Sequence, residues 1–467
     1  MKARFLAICS AVFTFCTFSA LPVAAQKYPF PQFIKYPYGF ATSKMDYVHL
    51  TAEYERWKSE LVSTCNGGGN KMMVQTDQGS KVEAVGFGML IAAFMGDKEV
   101  FDGIYNFYKA NLSTSNACGM MGWIGQCDGN SNSSAADGDI EVAFALIVAS
   151  WQWPDEDYEE KAKPIIKLLE KVVVTCNGVK ALAMGCSGTG SPYGGCNETD
   201  ISYYNPAAFR LFAKLTGNDL WEQLADDTYT ILEAGANKTT GLVPERQSVS
   251  GTPAGGDYGN FKYDACRTPW RIAMDYVWNG NTKAKAWLKK VSDFAYGFGI
   301  KNIKEGFTLS GQALGQWHPM CFTGAFGIAA MANSQEMVDA FGEDMLPIHD
   351  TYWFTLSLTP LYLLLIMGHQ WNNEMTPVSD PPDFTALRDN SERVVHWSRS
   401  GAALAVTGLS SGMKVLVTSL TGREVVGETV DGKQCSICTG TLENGCYVLS
   451  VIDRNGIVCK SGVVSVY

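Results

Sequence analysis

From about residue 43 to residue 370, apolar residues recur at helical spacing in segments punctuated by Gly, Asn and Pro, and the segments come in pairs. In "KVEAVGFGMLIAAFMG" most positions are apolar, whereas the following "DKEVFDGIYNFYKANL" carries its charge on one face. The same contrast separates "DIEVAFALIVASW" from "DYEEKAKPIIKLLEKVV", and "NPAAFRLFAKLTG" from "NDLWEQLADDTYTILEAG". A helix that is apolar nearly all round must be enclosed by protein, while a striped one covers it and faces water. Roughly a dozen such segments, in about six pairs, predict a mainly α fold: an (α/α)6 barrel over residues 26–370, with inner helices ringed by outer partners. The starts of the inner helices, with the loops before them, then line one end of the barrel. Polar groups placed there among apolar helices are costly without a task.

The texture changes after residue 370. "NNEMTPVSDPPDFTALRDNSER" is polar and Pro-rich, which predicts a linker over 371–390. "KVLVTSLTGREVVGETV" and "GCYVLSVIDRNGIVCKSGVVSVY" alternate apolar and polar positions around turns at Thr421-Gly422 and Asn455-Gly456, so residues 391–467 read as a small β-sandwich. Its rings are chiefly Trp397, Tyr447 and Tyr467, a meagre platform for a carbohydrate-binding module. The apolar "TYWFTLSLTPLYLLLIMG" is interrupted by Thr, Ser and Pro360, and fits a buried barrel helix better than a membrane span.

Composition narrows the function. A hydrophobic content of 46% with 18% charged residues is that of a globular chain, and 47 glycines with 12% aromatics suit tight loops around ring-lined surfaces, as in sugar-binding proteins. A formal net charge of −10 argues against nucleic acid, whose binding draws on clustered Lys and Arg. The chain opens "MKARFLAICSAVFTFCTFSALPVAAQ", a basic start, a short apolar run and a small-residue cleavage pattern. Residues 1–25 therefore read as a secretory signal peptide rather than a transmembrane anchor, and the protein as secreted or held at the cell surface. Removing the signal takes Cys9 and Cys16 and leaves an even number of cysteines in a disulfide-permitting compartment. Cys118 and Cys127 bracket one loop, and Cys176, Cys186 and Cys196 punctuate a Gly-rich region, so loop staples are expected with their connectivity open. Cys435 and Cys438 form a lone CxxC, which reads as a disulfide or idle thiols before it reads as zinc. The five histidines are scattered and include no HExxH, so no metal and no cofactor is expected.

Three acidic positions fall at inner-helix starts. Glu83 lies in "SKVEAVGFGML", where Val82, Ala84 and Val85 disfavour its ionised form and Gly86 and Gly88 allow a substrate to approach closely. That suits a general acid; a first-turn glutamate facing the helix dipole is the plainer reading. Asp137 and Asp139 precede an apolar helix and read equally as cap and first-turn charge. Just upstream, Trp123 lies in a glycine-bounded loop and could stack on a sugar ring or pack in the core. "KYDACRTPWR" sets Asp264 beside Tyr263, with Arg267 three residues on, which is either a local salt bridge or a carboxylate held for chemistry. Glycoside hydrolysis commonly needs two carboxyl groups flanking the scissile bond, one protonated and one ionised.

Together these motifs resemble glycoside hydrolase family 8 from about Tyr36 to Gly368. The stretch from Ala135 to Trp153 is similar to that family's signature, departing from it at Ala136, where Ser or Thr is usual, and at Val142, where Ile or Met is usual. Glu83 in "VEAVGFGM" matches the acid motif and Asp264 in "YDACRTPWR" the base motif. The resemblance implies Glu83 as general acid, Asp264 as general base and Asp137 as the residue gripping the distorted sugar. Tyr263 and Arg267 would orient Asp264, Trp123 would be a stacking platform, Tyr203 in "DISYYNPAAF" a lesser cleft residue, and Cys266 packing. It also implies inversion, with carboxyl groups about 6.5–9.5 Å apart to admit a water. The implied substrate is a β-1,4-linked polysaccharide: β-1,4-glucan first, then xylan cleaved by an endo-xylanase of the same architecture. A non-catalytic polysaccharide-binding protein on the same scaffold is the reading from a different class. The C-terminal "GCYVLSVIDRNGIVCKSGVVSVY" is similar to the sorting domain of type IX secretion, which implies that machinery as a partner.

Overall fold

Helix pairing in the computed structural model follows the polarity contrast of the sequence. The structure describes residues 26–378 and 396–466, apart from short stretches at 67–68, 114–116, 131–132, 155, 401–402, 408, 410, 420–422, 439–441, 443–444 and 453–457. The signal segment 1–25, most of the expected linker and the turns at Thr421-Gly422 and Asn455-Gly456 lie outside the described residues.

The α-helices are α1 (Tyr47–Leu61), α2 (Val82–Met95), α3 (Lys98–Ala110), α4 (Ala136–Gln152), α5 (Tyr158–Leu169), α6 (Pro206–Thr216), α7 (Asp219–Gly235), α8 (Thr268–Asn279), α9 (Thr282–Phe298), α10 (Met320–Ala330), α11 (Gln335–Met345) and α12 (Trp353–Ile366). Helices α2, α4, α6, α8, α10 and α12 touch in that order, and α12 closes the ring against α2. Each carries an outer partner: α3 on α2, α5 on α4, α7 on α6, α9 on α8, α11 on α10 and α1 on α12. This is an (α/α)6 barrel. Every residue of α10 and α12 is buried, and in α2 and α4 all but a few are. Each fully buried Leu, Ile or Phe contributes about 1.5–3 kcal/mol, so the inner ring supplies a large share of the drive to fold. Among the described residues no helix is long and apolar enough to cross a membrane.

Capping separates the two rings except at outer α5, which starts without a side-chain cap, and inner α6, where Asn205 accepts from the Ala208 N–H. Outer helices α1, α3, α7, α9 and α11 start on Asp46, Asp97, Asn218, Asn281 and Ser334, whose side chains accept from first-turn N–H groups. Inner helices α2, α4, α8, α10 and α12 start without a side-chain cap. Their first turns keep the positive end of the helix dipole for other partners.

The barrel's packing runs past the point where the sequence texture predicts a linker. Trp371 is fully buried and stacks on Tyr28 with ring centroids 4.0 Å apart, and the Val378 N–H donates to the Phe33 carbonyl at 2.8 Å. Residues 371–378 therefore belong to the barrel, because an indole interrupts the polar run and pulls the chain back onto the N-terminal segment. The C-terminal region has its own core, including Leu404, Val406, Val415, Val417, Ile437, Leu449 and Val451. Two antiparallel sheets build it. One orders His396–Ser400, Ala403–Thr407 and Gln434–Cys438; the other orders Glu424–Thr429, Lys414–Ser419, Gly445–Ile452 and Val458–Val466.

Candidate active site

The site begins with a close approach of two helices. A Cβ on Gly138 would lie 2.4 Å from the Val82 carbonyl carbon and oxygen, and one on Gly86 would lie 2.6 Å from the Glu141 Cβ. Only hydrogen fits at either position, so the first turns of α2 and α4 meet backbone to backbone. Glu83 and Asp137, each the second residue of its helix, are thereby brought together. The Val82 N–H donates to the Trp123 carbonyl at 3.0 Å, and the Trp123 N–H to the Ser133 carbonyl at 2.7 Å. That loop stands in for the cap α2 lacks and fixes Trp123 at the rim, 38% exposed.

One guanidinium gathers the carboxylates. Arg267, on the 3-10 turn Ala265–Arg267 that leads into α8, donates through one terminal nitrogen to Glu83 Oε1 and, at 3.0 Å, to Asp137 Oδ2. Through the other it donates to Asp264 Oδ1 and to Ser202 Oγ, each at 2.9 Å, and lies 3.7 Å from Asp200 Oδ2. The Tyr203 ring lies 5.5 Å from the guanidinium carbon. Exposure grades across the cluster: the side chains of Asp200, Asp137 and Arg267 are buried, Glu83 is 15% exposed and Asp264 35%.

Electrostatics follows from the count of charges. One cation faces four carboxyl groups, so full ionisation would leave a large negative excess in a mostly dry site. Protons are kept on Glu83 and Asp200. Burial pushes the Glu83 carboxyl up to about 7; Asp137 and Asp264 add to the rise and Arg267 opposes it. Burial, reinforced by Asp264, holds Asp200 well above the usual carboxylate range. The carboxylates keep Arg267 firmly cationic despite its burial. The Tyr203 hydroxyl is raised well above its ordinary value by burial and then by Asp137, Asp200 and Asp264.

A further layer holds this cluster in place. Arg271, one turn after Arg267, donates through Nε to Glu141 Oε1 at 2.8 Å and also reaches the Ser202 carbonyl. Asp200 Oδ1 accepts from the Ser202 N–H and hydroxyl at 2.8 and 2.7 Å. The Asp264 N–H donates to Glu245 Oε1 at 2.8 Å. Asp139 accepts from the Tyr108 hydroxyl at 2.5 Å and the Met121 N–H at 3.1 Å, which tethers the Trp123 loop. Sequence reasoning missed Asp200, Ser202, Glu141, Arg271 and Glu245. Two signals were readable: the Asp-x-Ser spacing of an Asx turn at Asp200, and the i, i+4 pair Arg267 and Arg271 at the start of an otherwise apolar helix.

Glu83, Asp137, Asp264, Arg267 and Tyr203 thus converge, and Trp123 lies at the rim beside α2. Tyr263 does not orient Asp264: its ring sits edge-on to Phe322 and Phe354, 41% exposed. The carboxylate is held instead by Arg267, and its backbone by Glu245, because neighbours in a helical turn point in different directions. Gly86 and Gly88 serve helix packing rather than substrate approach, Gly88 facing Val74, Ile104 and Trp57. Cys266 is buried packing, its thiol on the Tyr263 carbonyl at 3.1 Å. Cystines join Cys65 to Cys127, Cys118 to Cys186 and Cys176 to Cys196, while Cys435 and Cys438 are free thiols. Among the described residues no cluster of His, Cys, Asp and Glu could hold a metal ion.

Comparison with known proteins adds to this geometry. The family model of glycosyl hydrolases family 8 matches residues 29–367. Endoglucanase 2 of Ruminiclostridium josui is 34% identical over 328 residues, 67% of this chain and 69% of that protein. Endoglucanase A of Acetivibrio thermocellus is 33% identical over 374 residues, 74% of this chain and 76% of that protein. Among solved structures, the apo β-1,3-1,4-glucanase from Paenibacillus sp. X4 superposes with a TM-score of 0.66 at 26% identity, covering 74% of this chain and 100% of that one.

Proposed function

The chain belongs to glycosyl hydrolases family 8, and from that premise we propose that it is an inverting, endo-acting O-glycosyl hydrolase cleaving β-1,4-linked glucan. The observation that carries the reading is the single guanidinium of Arg267 shared by Glu83, Asp137 and Asp264. It supports a proton-holding carboxyl and a second carboxyl gathered by the same cation, the pair that acid-base cleavage of a glycosidic bond requires.

In this assignment Glu83 gives its proton to the leaving glycosidic oxygen. Its support is a carboxyl raised by burial to about 7, protonated in mildly acidic solution. Asp264, the most exposed of the set, takes a proton from a water that attacks the anomeric carbon from the opposite face, so configuration inverts. Its carboxylate is held in place by Arg267 at 2.9 Å. Asp137 Oδ2 is held by Arg267, and Oδ1 has no protein partner, leaving an acceptor for a sugar hydroxyl. Trp123 offers an indole face to a sugar ring.

The test is reducing-sugar release from carboxymethyl cellulose, mixed-linkage glucan, xylan and chitosan, with product lengths resolved. Glu83→Gln and Asp264→Asn should each abolish turnover while polymer binding persists. Unchanged hydrolysis in either variant defeats the assignment, and faster release from xylan than from glucans replaces the substrate. The proposal extends to export, by removal of residues 1–25, and to a C-terminal sorting domain read by type IX machinery. Three cystines fit an oxidising compartment. A mature protein recovered outside the cell and starting at Gln26 supports export; retention after deletion of residues 391–467 supports the sorting role.

A further inference from the structure

Trp317 is 73% exposed, more than any other large apolar side chain described, and no mechanism above uses it. Its backbone is nonetheless fixed. The Glu305 carboxylate accepts from the Gln316 N–H at 2.9 Å and the Trp317 N–H at 2.5 Å, and the Glu305 N–H donates to the Trp317 carbonyl at 3.2 Å. A Cβ at Gly315 would lie 2.1 Å from the Glu305 carboxyl carbon, so glycine is required for that clamp. The next residue, His318, is held through its ring by the Ile303 carbonyl at 2.8 Å and Asp344 at 2.7 Å. Core packing does not explain an indole presented outward on a backbone secured on both sides.

The clamp is continuous with the cleft. Phe261 and Phe307 exchange backbone hydrogen bonds of 2.9 Å, which lays the loop carrying Trp317 along the segment that leads to Asp264. Glu305 bears electrostatically on the Tyr263 hydroxyl, which is raised to about 12, chiefly by burial. The loop also precedes α10, which packs between α8 and α12, so Trp317 stands on the Asp264 side of the site while Trp123 stands beside Glu83. Gln316, the preceding residue, and Gln312, on the same loop, are exposed and offer amide donors and acceptors. An indole face with flanking amides is the chemistry that recognises a pyranose: apolar C–H groups on the ring face and hydroxyls round its edge.

We propose that Trp317 is an outlying platform that holds the β-glucan chain beyond the catalytic units on the Asp264 side. The proposal rests on the glucan-cleaving reading for its ligand. Because the backbone beneath the indole is held before binding, stacking on it sacrifices little loop freedom. The contribution should appear only with chains long enough to reach it.

Two measurements test this. In the active enzyme, Trp317→Ala should raise KM for soluble mixed-linkage glucan about threefold to tenfold, with kcat within about twofold and cleavage of cellotetraose unchanged. Trp317→Phe should recover most of the loss. In the inactive Glu83→Gln background, affinity electrophoresis through gels containing the same glucan should show Trp317→Ala weakening retardation by a similar factor. Equal retardation with and without Trp317, equal loss on long and short substrates, or a wild-type chain that glucan does not retard, each overturns the proposal. Trp317-dependent retardation by a chain that cleaves no glucan would instead overturn the proposed activity and leave the platform standing.

Discussion

Replacing Arg267 with methionine removes the cation and keeps much of the side chain's length and packing. In the wild type that cation lies 2.9 Å from Asp264, 3.0 Å from Asp137 and 3.7 Å from Asp200, and is bonded to Glu83. At an effective dielectric of about 20, a unit charge pair near 3 Å is attracted by about 5–6 kcal/mol before desolvation. Taking one partner from a buried pair typically costs about 3–5 kcal/mol. Most of that cost should fall on Asp137, because Asp264 is 35% exposed and water screens its share, while Asp200, held well above the usual carboxylate range, leaves little charge to strand. For catalysis we expect kcat/KM to drop about a hundredfold to a thousandfold, equivalent to about 2.7–4 kcal/mol. Arg267→Lys should recover stability more than rate, because one ammonium cannot hold the carboxylates on separate nitrogens of a planar fork. The assay is initial-rate reducing-sugar release, paired with thermal melts across pH. With the cation gone the Glu83 carboxyl rises further, so the melting gap between variant and wild type should narrow as pH falls towards about 7, below which Glu83 is protonated in both. A variant within threefold of wild-type kcat/KM, or a melting gap that widens in acid, refutes the reasoning.

The remaining predictions are shorter. Gly138→Ala should destabilise the protein by about 1–3 kcal/mol through overpacking and lower activity further by parting Glu83 from Asp137; an unchanged melt would contradict the 2.4 Å approach. The alkaline limb of the rate profile should fall near pH 7, because a proton donor works only below its own pKa, and Glu83 lies at about 7; a limb above pH 9 would assign the donor elsewhere. Burial raises both Glu83 and Asp139 to about 7, so the stability they contribute is full below about pH 4 and is lost as pH rises through 7; calorimetry should show the melting temperature declining over that window. Cys118→Ser paired with Cys186→Ser should cost about 2–4 kcal/mol and raise KM more than it lowers kcat, since the bond ties the loop preceding Trp123 to the strand Val179–Cys186.

The barrel was legible because its two rings solve different burial problems. A sequence such as Val82–Met95, apolar on all sides, cannot be mistaken for the striped Lys98–Ala110. The site was legible in part. Glu83, Asp137 and Asp264 stand at helix starts in apolar surroundings, and motif resemblance gave them roles. Glu245 was invisible and Asp200 showed only its turn, because their roles are set by tertiary contact with Asp264 and Arg267. Tyr263 shows the opposite failure. Adjacency in sequence suggested contact with Asp264, yet successive side chains in a helical turn diverge, and its ring went to Phe322 and Phe354. The boundary at residue 370 was drawn from polarity alone, which gave too little weight to a single tryptophan.

A hub that binds three neighbours through one fork makes their fates interdependent. Substitutions at positions 83, 137, 264 and 267 should therefore show strong epistasis: once one is altered, a second does little further harm. Directed evolution that walks one residue at a time through this quartet meets dead intermediates at every step. Altered specificity is more accessible through the peripheral loops, where a change at one ring leaves the others intact.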